Sequence, residues 1–429
     1  MKILRGYRYR LAPTPEQTQR LEAWQNSLRF LWNLALEQYR NANRLCKVDR
    51  SRVGWPSFVR QCKELTELRA ELPWLADVPS CLCQQVLKDL EQAWKRCWES
   101  GGKVGAPRFK SGKRGDTVAM RVPSGDSYEV IPAPADNDTK RRGRERIGHI
   151  DFPKIGRIEG VFYRTPLGTP RSACLVREHG EWWAVVLTER EVPDPVPSTK
   201  PVVALDRGVV NLIADSDGRV VVNPRLVEQA KQRVTKAQRA MARKERGSKN
   251  SQKARVRVAR LQRRVSRQRD QILHTESKHY AENHGAVVLE ELKVRQMTKS
   301  AKGTVEEPGT NVAAKAGLNR AILDAGWSRF ATLLDYKLIE RGGKLVRVNP
   351  AYSSQTCAAC GVVDAESRRS QSEFHCVSCG HRDNADLNAA RVLLARGQAA
   401  IVSSTVGSTV QKPVEATRKR GLRSRKGTA

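Results

Sequence analysis

The sequence predicts a multidomain α/β and β protein. A split N-terminal β-barrel carrying an inserted helical bundle precedes an α/β core, which itself carries a helical arm and a four-cysteine zinc ribbon. Three observations carry this. Short β-like runs lie on both sides of an amphipathic helical stretch in the first half of the chain. Strands and helices alternate in the second half. Two C-x2-C pairs sit fifteen residues apart near the C-terminus.

The first run, "KILRGYRYRL" at 2–11, alternates and reads as a strand. In "TPEQ", Thr14 suits an N-cap, Pro15 the first helical position and Gln17 the capping-box partner. Leu21, Trp24, Leu28, Leu31 and Leu34 then recur at three and four, the spacing of a buried helix face. Further helices are expected from Ser57 to about Arg69 and from Ser80 to about Trp98. The second of these should bury Val86, Leu90, Trp94, Cys97 and Trp98. Residues 14–104 thus form the bundle. Cys46, Cys62, Cys81, Cys83 and Cys97 read as small buried thiols, since the C-x-C of 81–83 has no partner pair.

From "GGKVGAPRFKSGKRG" the character changes. "SYEVIPA", "RIEGVFYR", "ACLVRE" and "EWWAVVLTE" read as strands, so residues 1–13 and 105–191 make the barrel, with a small sandwich as the other possibility. "VPDPVPSTKP" at 192–201 is a Pro-rich linker.

Residues 202–351 form the core. "VVALDRGVVNLIADSDGRVVV" reads strand, strand, turn, strand, and "GAVVLEEL" and "GGKLVRVNP" supply two more. One long helix is expected from about Leu318 to Arg341, burying Ile322, Phe330, Leu333, Leu334 and Leu338. The arm spans 225–284 and is split at "GSKN", with Val258, Leu261, Val265 and Ile272 on one face of its second helix. Residues 225–270 hold 17 Lys or Arg against Glu228, Glu245 and Asp270, a net +14. A solvated helical hairpin would show charge, but not so one-signed a block, which favours an arm that tracks phosphates. The whole chain has 429 residues, a net charge of +33 and a pI near 10.2. Such an excess repels itself unless a polyanion screens it, so nucleic acid is the leading partner.

No run of 18 apolar residues predicts a membrane span, and the N-terminus lacks the apolar region of a signal peptide. The expected location is cytoplasmic, nucleoid-associated when bound to DNA, where cysteines are thiols or metal ligands rather than disulfides. Cys357, Cys360, Cys376 and Cys379 (ribbon 352–381) would close a tetrahedral Zn²⁺ site. Four thiolates leave no open position, so that metal is structural. His375 and His381 are not needed as ligands. The last helix is placed at 382–395, and 396–429 is expected to be a basic disordered tail that offers a second polyanion contact.

Asp206 ends the first core strand, Glu290 ends "AVVLE", and Asp386 opens the last helix. Taken singly, an Asp at a strand end is usually a cap or turn residue. Taken together, the three match the hard oxygen ligands that two Mg²⁺ ions about 3.5–4 Å apart require for phosphodiester hydrolysis. Asp215 and Asp217 belong to a hairpin turn, Asp383 is a further neighbour outside the set, and Glu291 should face away from Glu290.

The chain resembles the TnpB family, RNA-guided RuvC-like nucleases of insertion sequences and relatives of type V CRISPR effectors. The match runs from residue 2 to about 395, through "YRYRLAPTPEQ", "LRFLWNLALEQY", "GAPRFKS", "VALDRGVVNLIADSDG", "VVLEELKV", "YSSQTCAACG" with "CVSCG", and "DLNAA". The resemblance implies an RNase H-like (RuvC) core, a WED-like barrel and a REC-like bundle. It implies Asp206, Glu290 and Asp386 as Mg²⁺-binding catalytic residues and Zn²⁺ in the ribbon. The implied partners are a guide RNA from the transposon end and target double- and single-stranded DNA. One protein per RNA is expected, although the resemblance does not fix it. Two segments depart from the pattern: a longer "SAKGTVEEPGTNVAAKAG" and a basic insertion at 125–149. A conventional transposase or its accessory protein would be expected to carry a helix-turn-helix, which is not evident. A guide-directed repressor would be flagged by a lost carboxylate, and all three are present. A non-enzymatic zinc protein would not need them. A miniature type V CRISPR effector shares the same chemistry and stays open.

Overall fold

The computed structural model describes residues 1–48, 54–101, 103–112, 117–123, 129–131, 147–162, 164–178, 180–304 and 306–406. The chain divides into two compact units, Met1–Pro193 and Asp194–Ala429. Most of the 125–149 insertion lies outside the described residues.

In the first unit, β1 (Lys2–Leu11) leads into α1 (Pro15–Val48) through a reciprocal cap. The Thr14 amide donates to Gln17 Oε1 at 3.0 Å, and the Gln17 amide donates to Thr14 Oγ1 at 3.3 Å. The helices α2 (Phe58–Glu71), α3 (Pro73–Ala76) and α4 (Ser80–Glu99) follow. Then come β2 (Met120–Pro123), β3 (Glu129–Ile131), β4 (Ile147–Phe152), β5 (Gly156–Val161), β6 (Thr169–Glu178) and β7 (Glu181–Glu191). The seven strands pair in the order β2-β6-β7-β1-β5-β4-β3, so the helices are spliced between β1 and β2. Among the described residues β2 and β3 end this sheet and share no ladder, so no closed barrel is seen there. Sheet and helices share one core, in which Tyr7, Tyr9 and Leu11 meet Leu21, Trp24 and Leu28.

Several expected core residues differ. Leu34 is half-buried, and the α1 face turns inward at Ala35, Leu36 and Tyr39. Trp98 lies in the last turn of α4 and is 53% exposed, stacked on Trp94 at 5.5 Å rather than covered. Of the five bundle cysteines only Cys83 is buried; Cys46, Cys62, Cys81 and Cys97 are half-buried. Burial pushes the Cys83 thiol up to about 11, which keeps it protonated.

The second unit is built on β8 (Val202–Asp206), β9 (Asn211–Asp215), β10 (Val220–Val222), β11 (Ala286–Glu290) and β12 (Lys344–Val348). Their order is β10-β9-β8-β11-β12, with β8, β11 and β12 parallel and β9 and β10 antiparallel. The arm is α5 (Leu226–Ala242) and α6 (Lys249–Asn283), the latter capped by Ser248. Its buried row runs through Val258, Val265 and Leu273, while Leu261 and Ile272 are half-buried. The short α7 (Val294–Met297) precedes the loop toward α8 (Val312–Ala325) and α9 (Trp327–Ile339). These last two replace the single helix expected at 318–341. The break is Gly326, whose φ of +67° ends one helix and starts the next; a Cβ there would lie 2.8 Å from Leu273 Cδ1. The ribbon strands β13 (Glu373–His375) and β14 (Arg382–Asn384) come before α10 (Ala385–Val406). So 382–384 belong to a strand rather than to the last helix, and that helix runs through the first part of the expected tail. The remainder, from 407, lies outside the described residues.

Strand alternation divides the second core in two. Val203, Leu205, Val287 and Leu289 face α6 and α9. Ala204 and Val288 face Leu393 of α10. The α10 backbone comes close to the sheet at Gly397, where an added Cβ would meet Val288 Cγ2 at 2.2 Å. Gly397→Ala is therefore expected to destabilise this unit by about 1–3 kcal/mol, as overpacking does. Denaturant melting of the purified protein measures it, and an unchanged midpoint would contradict the close approach.

Candidate active site and cysteine cluster

The strand alternation also places the acidic residues. Asp206 is two positions beyond Ala204, and Glu290 two beyond Val288, so both share the face that α10 covers. The β8–β11 ladder ends at Leu205–Leu289, which makes Asp206 and Glu290 cross-strand neighbours about 4.8 Å apart in backbone spacing. Asp386 lies in the first turn of α10. Asn384 Oδ1 caps that turn, accepting from the Asp386 amide at 3.0 Å and the Leu387 amide at 3.3 Å.

Asp206 feels the charge of the other two carboxylates. The Asp206 carboxyl is pushed up to about 7, first by burial, then by the charges of Glu290 and Asp386; Arg368 and Arg207 pull the other way. Burial also raises Glu290, with Arg207 opposing. Arg207 is buried beside Glu290: its backbone amide donates to Glu290 Oε1 at 3.3 Å and its guanidinium donates to the Glu290 carbonyl. A second guanidinium nitrogen donates to the Trp327 carbonyl at 3.3 Å. Asp386 is held by Asn211, whose Nδ2 donates to Oδ2 at 2.9 Å, and by Arg368, 3.6 Å from Oδ1. Arg207, Asn211 and Arg368 were not singled out from the sequence. Arg207 and Asn211 both lie in the quoted motif "VALDRGVVNLIADSDG", Arg207 as the neighbour of Asp206.

The other acidic residues sit elsewhere. Asp215 is buried in the hairpin, accepting from the Asp217 and Arg219 amides and from the Tyr280 hydroxyl. Glu291 is exposed, and Asp383 pairs with Arg391.

Cys357, Cys360, Cys376 and Cys379 bring their sulfurs within 4.8 Å of one another, and among the described residues no other group of possible metal ligands gathers so closely. Cys357 and Cys379 are 3.7 Å apart, Cys360 and Cys376 3.6 Å. Zn–S bonds of about 2.3 Å in a tetrahedron imply sulfur separations of about 3.8 Å, so the set fits a zinc ion. The two knuckles repeat one backbone pattern. The Gly361 amide donates to the Cys357 carbonyl and Cys357 to Val362; the Gly380 amide donates to Cys376 and Cys376 to His381. The Cys379 and Ser378 amides hold the Cys376 thiol down at about 6.

Cluster and carboxylates are joined through Asn388, which is fully buried two residues after Asp386. Its Nδ2 donates to the Thr356 carbonyl at 2.8 Å, and its Oδ1 accepts from the Ala358 amide at 2.9 Å. These two residues flank Cys357, so the first knuckle is clamped to the helix that carries Asp386. Arg368 joins the ribbon to the Asp386 carboxylate itself.

A mixed sheet in this order, acidic residues on one face of it, and a cysteine ribbon before the covering helix define an α/β protein with a four-cysteine cluster. The comparisons place it more narrowly. Residues 185–301 match a family model described as "Probable transposase", and residues 327–393 one described as a Cas12f1-like TNB domain. Residues 1–43 match a model described as a helix-turn-helix domain, a motif the sequence reading did not find. The structure has strand β1 and most of the single helix α1 there. The chain is 36% identical over 405 residues to the Escherichia coli K12 protein named "Putative RNA-guided DNA endonuclease InsQ", covering 94% of each. It is 30% identical over 423 residues to a Streptomyces pristinaespiralis protein named "Putative RNA-guided DNA endonuclease", covering 97% of this chain and 94% of that one. A solved Cas12f1–sgRNA–target DNA complex aligns distantly, with a TM-score of 0.47 and 14% identity over 91% of this chain and 98% of that one. The chain belongs to the TnpB family of insertion-sequence proteins.

The raised Asp206 sets a pH signature. Its folded-state value lies above the ordinary 3.8, so its ionisation costs stability as pH rises from about 4 through about 7, and costs nothing below. Without divalent cations, Asp206→Asn is expected to melt a few degrees above the parent at pH 8 and to lose that advantage toward pH 4. Calorimetry across that range tests it. A constant offset would mean that Asp206 is not under repulsion.

Proposed function

We propose that this chain is an RNA-guided DNA endonuclease of an insertion sequence, cutting target DNA beside a short motif by two-metal phosphodiester hydrolysis. The observation that carries the reading is the carboxylate face. Asp206, Glu290 and Asp386 come from two strands and a helix onto one side of the sheet, where Asp206 feels the charge of the other two. Such a site lacks positive charge, and Arg207 and Arg368 offset only part of the deficit. Hard divalent cations fit this donor set, and the curated relatives carry the name of the activity.

In this reading Asp206, Glu290 and Asp386 hold Mg²⁺. Two bound ions would supply an activated water and stabilise the leaving oxygen. Arg207 opposes the upward push of burial on Glu290 and aims its carboxylate. Asn211 and Arg368 fix the Asp386 carboxylate. Zn²⁺ on the four cysteines is structural, and Asn388 transmits the rigidity of the first knuckle to α10. The basic arm α5–α6, the seven-stranded sheet and the bundle engage the phosphates of a guide RNA from the transposon end and of target DNA, one protein per RNA. The sheet with residues 1–13 and 105–191 takes the WED-like role, and the bundle 14–104 the REC-like role. In guide-directed nucleases base pairing reads the target sequence, while the protein reads the adjacent motif and duplex shape.

The test is purification with co-expressed element RNA, sequencing of that RNA, and cleavage of matched DNA with Mg²⁺. A discrete RNA and guide-dependent cutting are expected. Asp206→Ala should lower cleavage by at least 1,000-fold, on the order of a lost metal ligand, with RNA retention unchanged. Absence of a copurifying RNA would sink the guided reading, and retained cutting would remove Asp206 from the site.

The cluster is tested separately. Cys376→Ser should release the bound zinc, measured by elemental analysis, and lower cleavage as well, because metal binding and ribbon folding are coupled. A zinc-free protein with full activity would contradict the structural role.

A further inference from the structure

The turn between β12 and the ribbon holds a tyrosine where a glycine would fit more easily. Tyr352 has a φ of +59°, and among the described residues it is the only aromatic one with a left-handed backbone. That region crowds a large side chain and suits Gly or Asn. The turn itself needs the conformation. The Tyr352 carbonyl accepts from the Gln355 amide at 3.0 Å, the Thr356 amide at 2.9 Å and the Thr356 hydroxyl at 2.7 Å. Such a turn selects a backbone, not a ring. Folding does not use the ring either. Tyr352 is 66% exposed, and among the described residues its side chain forms no aromatic pair, cation contact or hydrogen bond. A side chain that is costly to hold and unused in the fold points to a use outside it.

Its place indicates that use. The turn leaves β12 after Val348, whose register partner is Glu290. Four chain steps and one strand spacing put Tyr352 within about 19 Å of Glu290, measured between Cα atoms. Both ends of the turn are fixed to α10, the helix that carries Asp386. Arg396 Nη1 donates to the Asn349 and Ala351 carbonyls at 2.9 Å each, and Asn388 Nδ2 donates to the Thr356 carbonyl at 2.8 Å. Tyr352 is thus held on the same frame as the carboxylates, with its ring in solvent. For a chain of net charge +33 the matching partner is a nucleic acid strand, and an exposed ring offers such a strand a face on which a base can stack.

We propose that Tyr352 stacks an unpaired base of the DNA strand that the carboxylates cut, a few nucleotides from the scissile phosphate, and so positions that phosphate over Asp206, Glu290 and Asp386. It is a positioning residue and takes no part in the bond-breaking step. The inference rests on the nuclease reading above and adds a contact that the carboxylates cannot supply.

The test uses the complete protein–RNA complex with matched DNA and Mg²⁺. Tyr352→Gly suits the left-handed backbone and removes the ring, so it should melt no lower than the parent and keep its zinc and RNA. Its cleavage rate should nevertheless fall roughly five- to 150-fold, the loss of one stacked base. Tyr352→Phe keeps the ring and should cut like the parent. Ultraviolet crosslinking, with the RNA and each DNA strand labelled separately, should join the peptide carrying Tyr352 to the cut strand near the cleavage position. A Tyr352→Gly variant that cuts at the parental rate would overturn the proposal, and so would a Tyr352→Phe variant as slow as Tyr352→Gly. Lower melting with loss of zinc in Tyr352→Gly would make the residue structural and overturn it as well. Crosslinks from this peptide to RNA alone would overturn the assignment to DNA. A parent complex that holds RNA but cuts no DNA would sink the nuclease reading, and the inference with it.

Discussion

Three carboxylates sit on one face of a sheet against their own repulsion, and much of the second unit can be understood as what keeps them there. Two arrive on parallel neighbouring strands, where backbone hydrogen bonds fix their spacing and side-chain alternation fixes their direction. The third arrives on a helix, which the sheet ladder does not constrain. That helix is held at three places: Gly397 lets it lie close on Val288, Asn384 caps its first turn, and Asn388 ties it to the ribbon. Packing energy on the α10 face offsets electrostatic cost at the strand ends.

The ribbon acquires its place from this arrangement. A cluster of four thiols could fold anywhere along the chain, yet here its first knuckle touches the helix two residues from Asp386. The contact is a buried side-chain amide using both its donor and its acceptor on backbone groups, the kind of fully satisfied polar link that specifies one geometry. Arg368 extends the link from the ribbon to the Asp386 carboxylate. The geometry of the cysteine cluster and the orientation of the acidic residue are thereby mechanically connected.

The first unit solves a different problem. Its sheet and helices are fused into one core, with β1 paired along its whole length to β7 although nearly the entire unit lies between them in sequence. Such a long-range ladder lets a helical bundle be spliced into a β architecture without a second core. It also leaves the bundle's outer surface uncommitted, which is where the tryptophan stack ends at the exposed Trp98.

Local chemistry was legible in the sequence wherever a few neighbouring residues decide it. The capping box at Thr14 and Gln17, the ladder of Leu21, Trp24 and Leu28, the hairpin at Asp215 and the two cysteine knuckles depend on spacing within one or two turns of chain. The acidic residues could be nominated as strand and helix ends, and family resemblance assembled them. The tertiary structure alone decided what depends on distant partners. Gly326 splits a continuous apolar pattern because Leu273 of another helix leaves no room for a side chain and the backbone turns left-handed there. Trp98 keeps helical spacing yet stays exposed, because its pattern does not say where the neighbouring helices stop. Arg207, Asn211 and Arg368 acquire their roles from groups far away in sequence. Periodicity records which way a side chain points along its own element; what it meets there is set by the packing of the others.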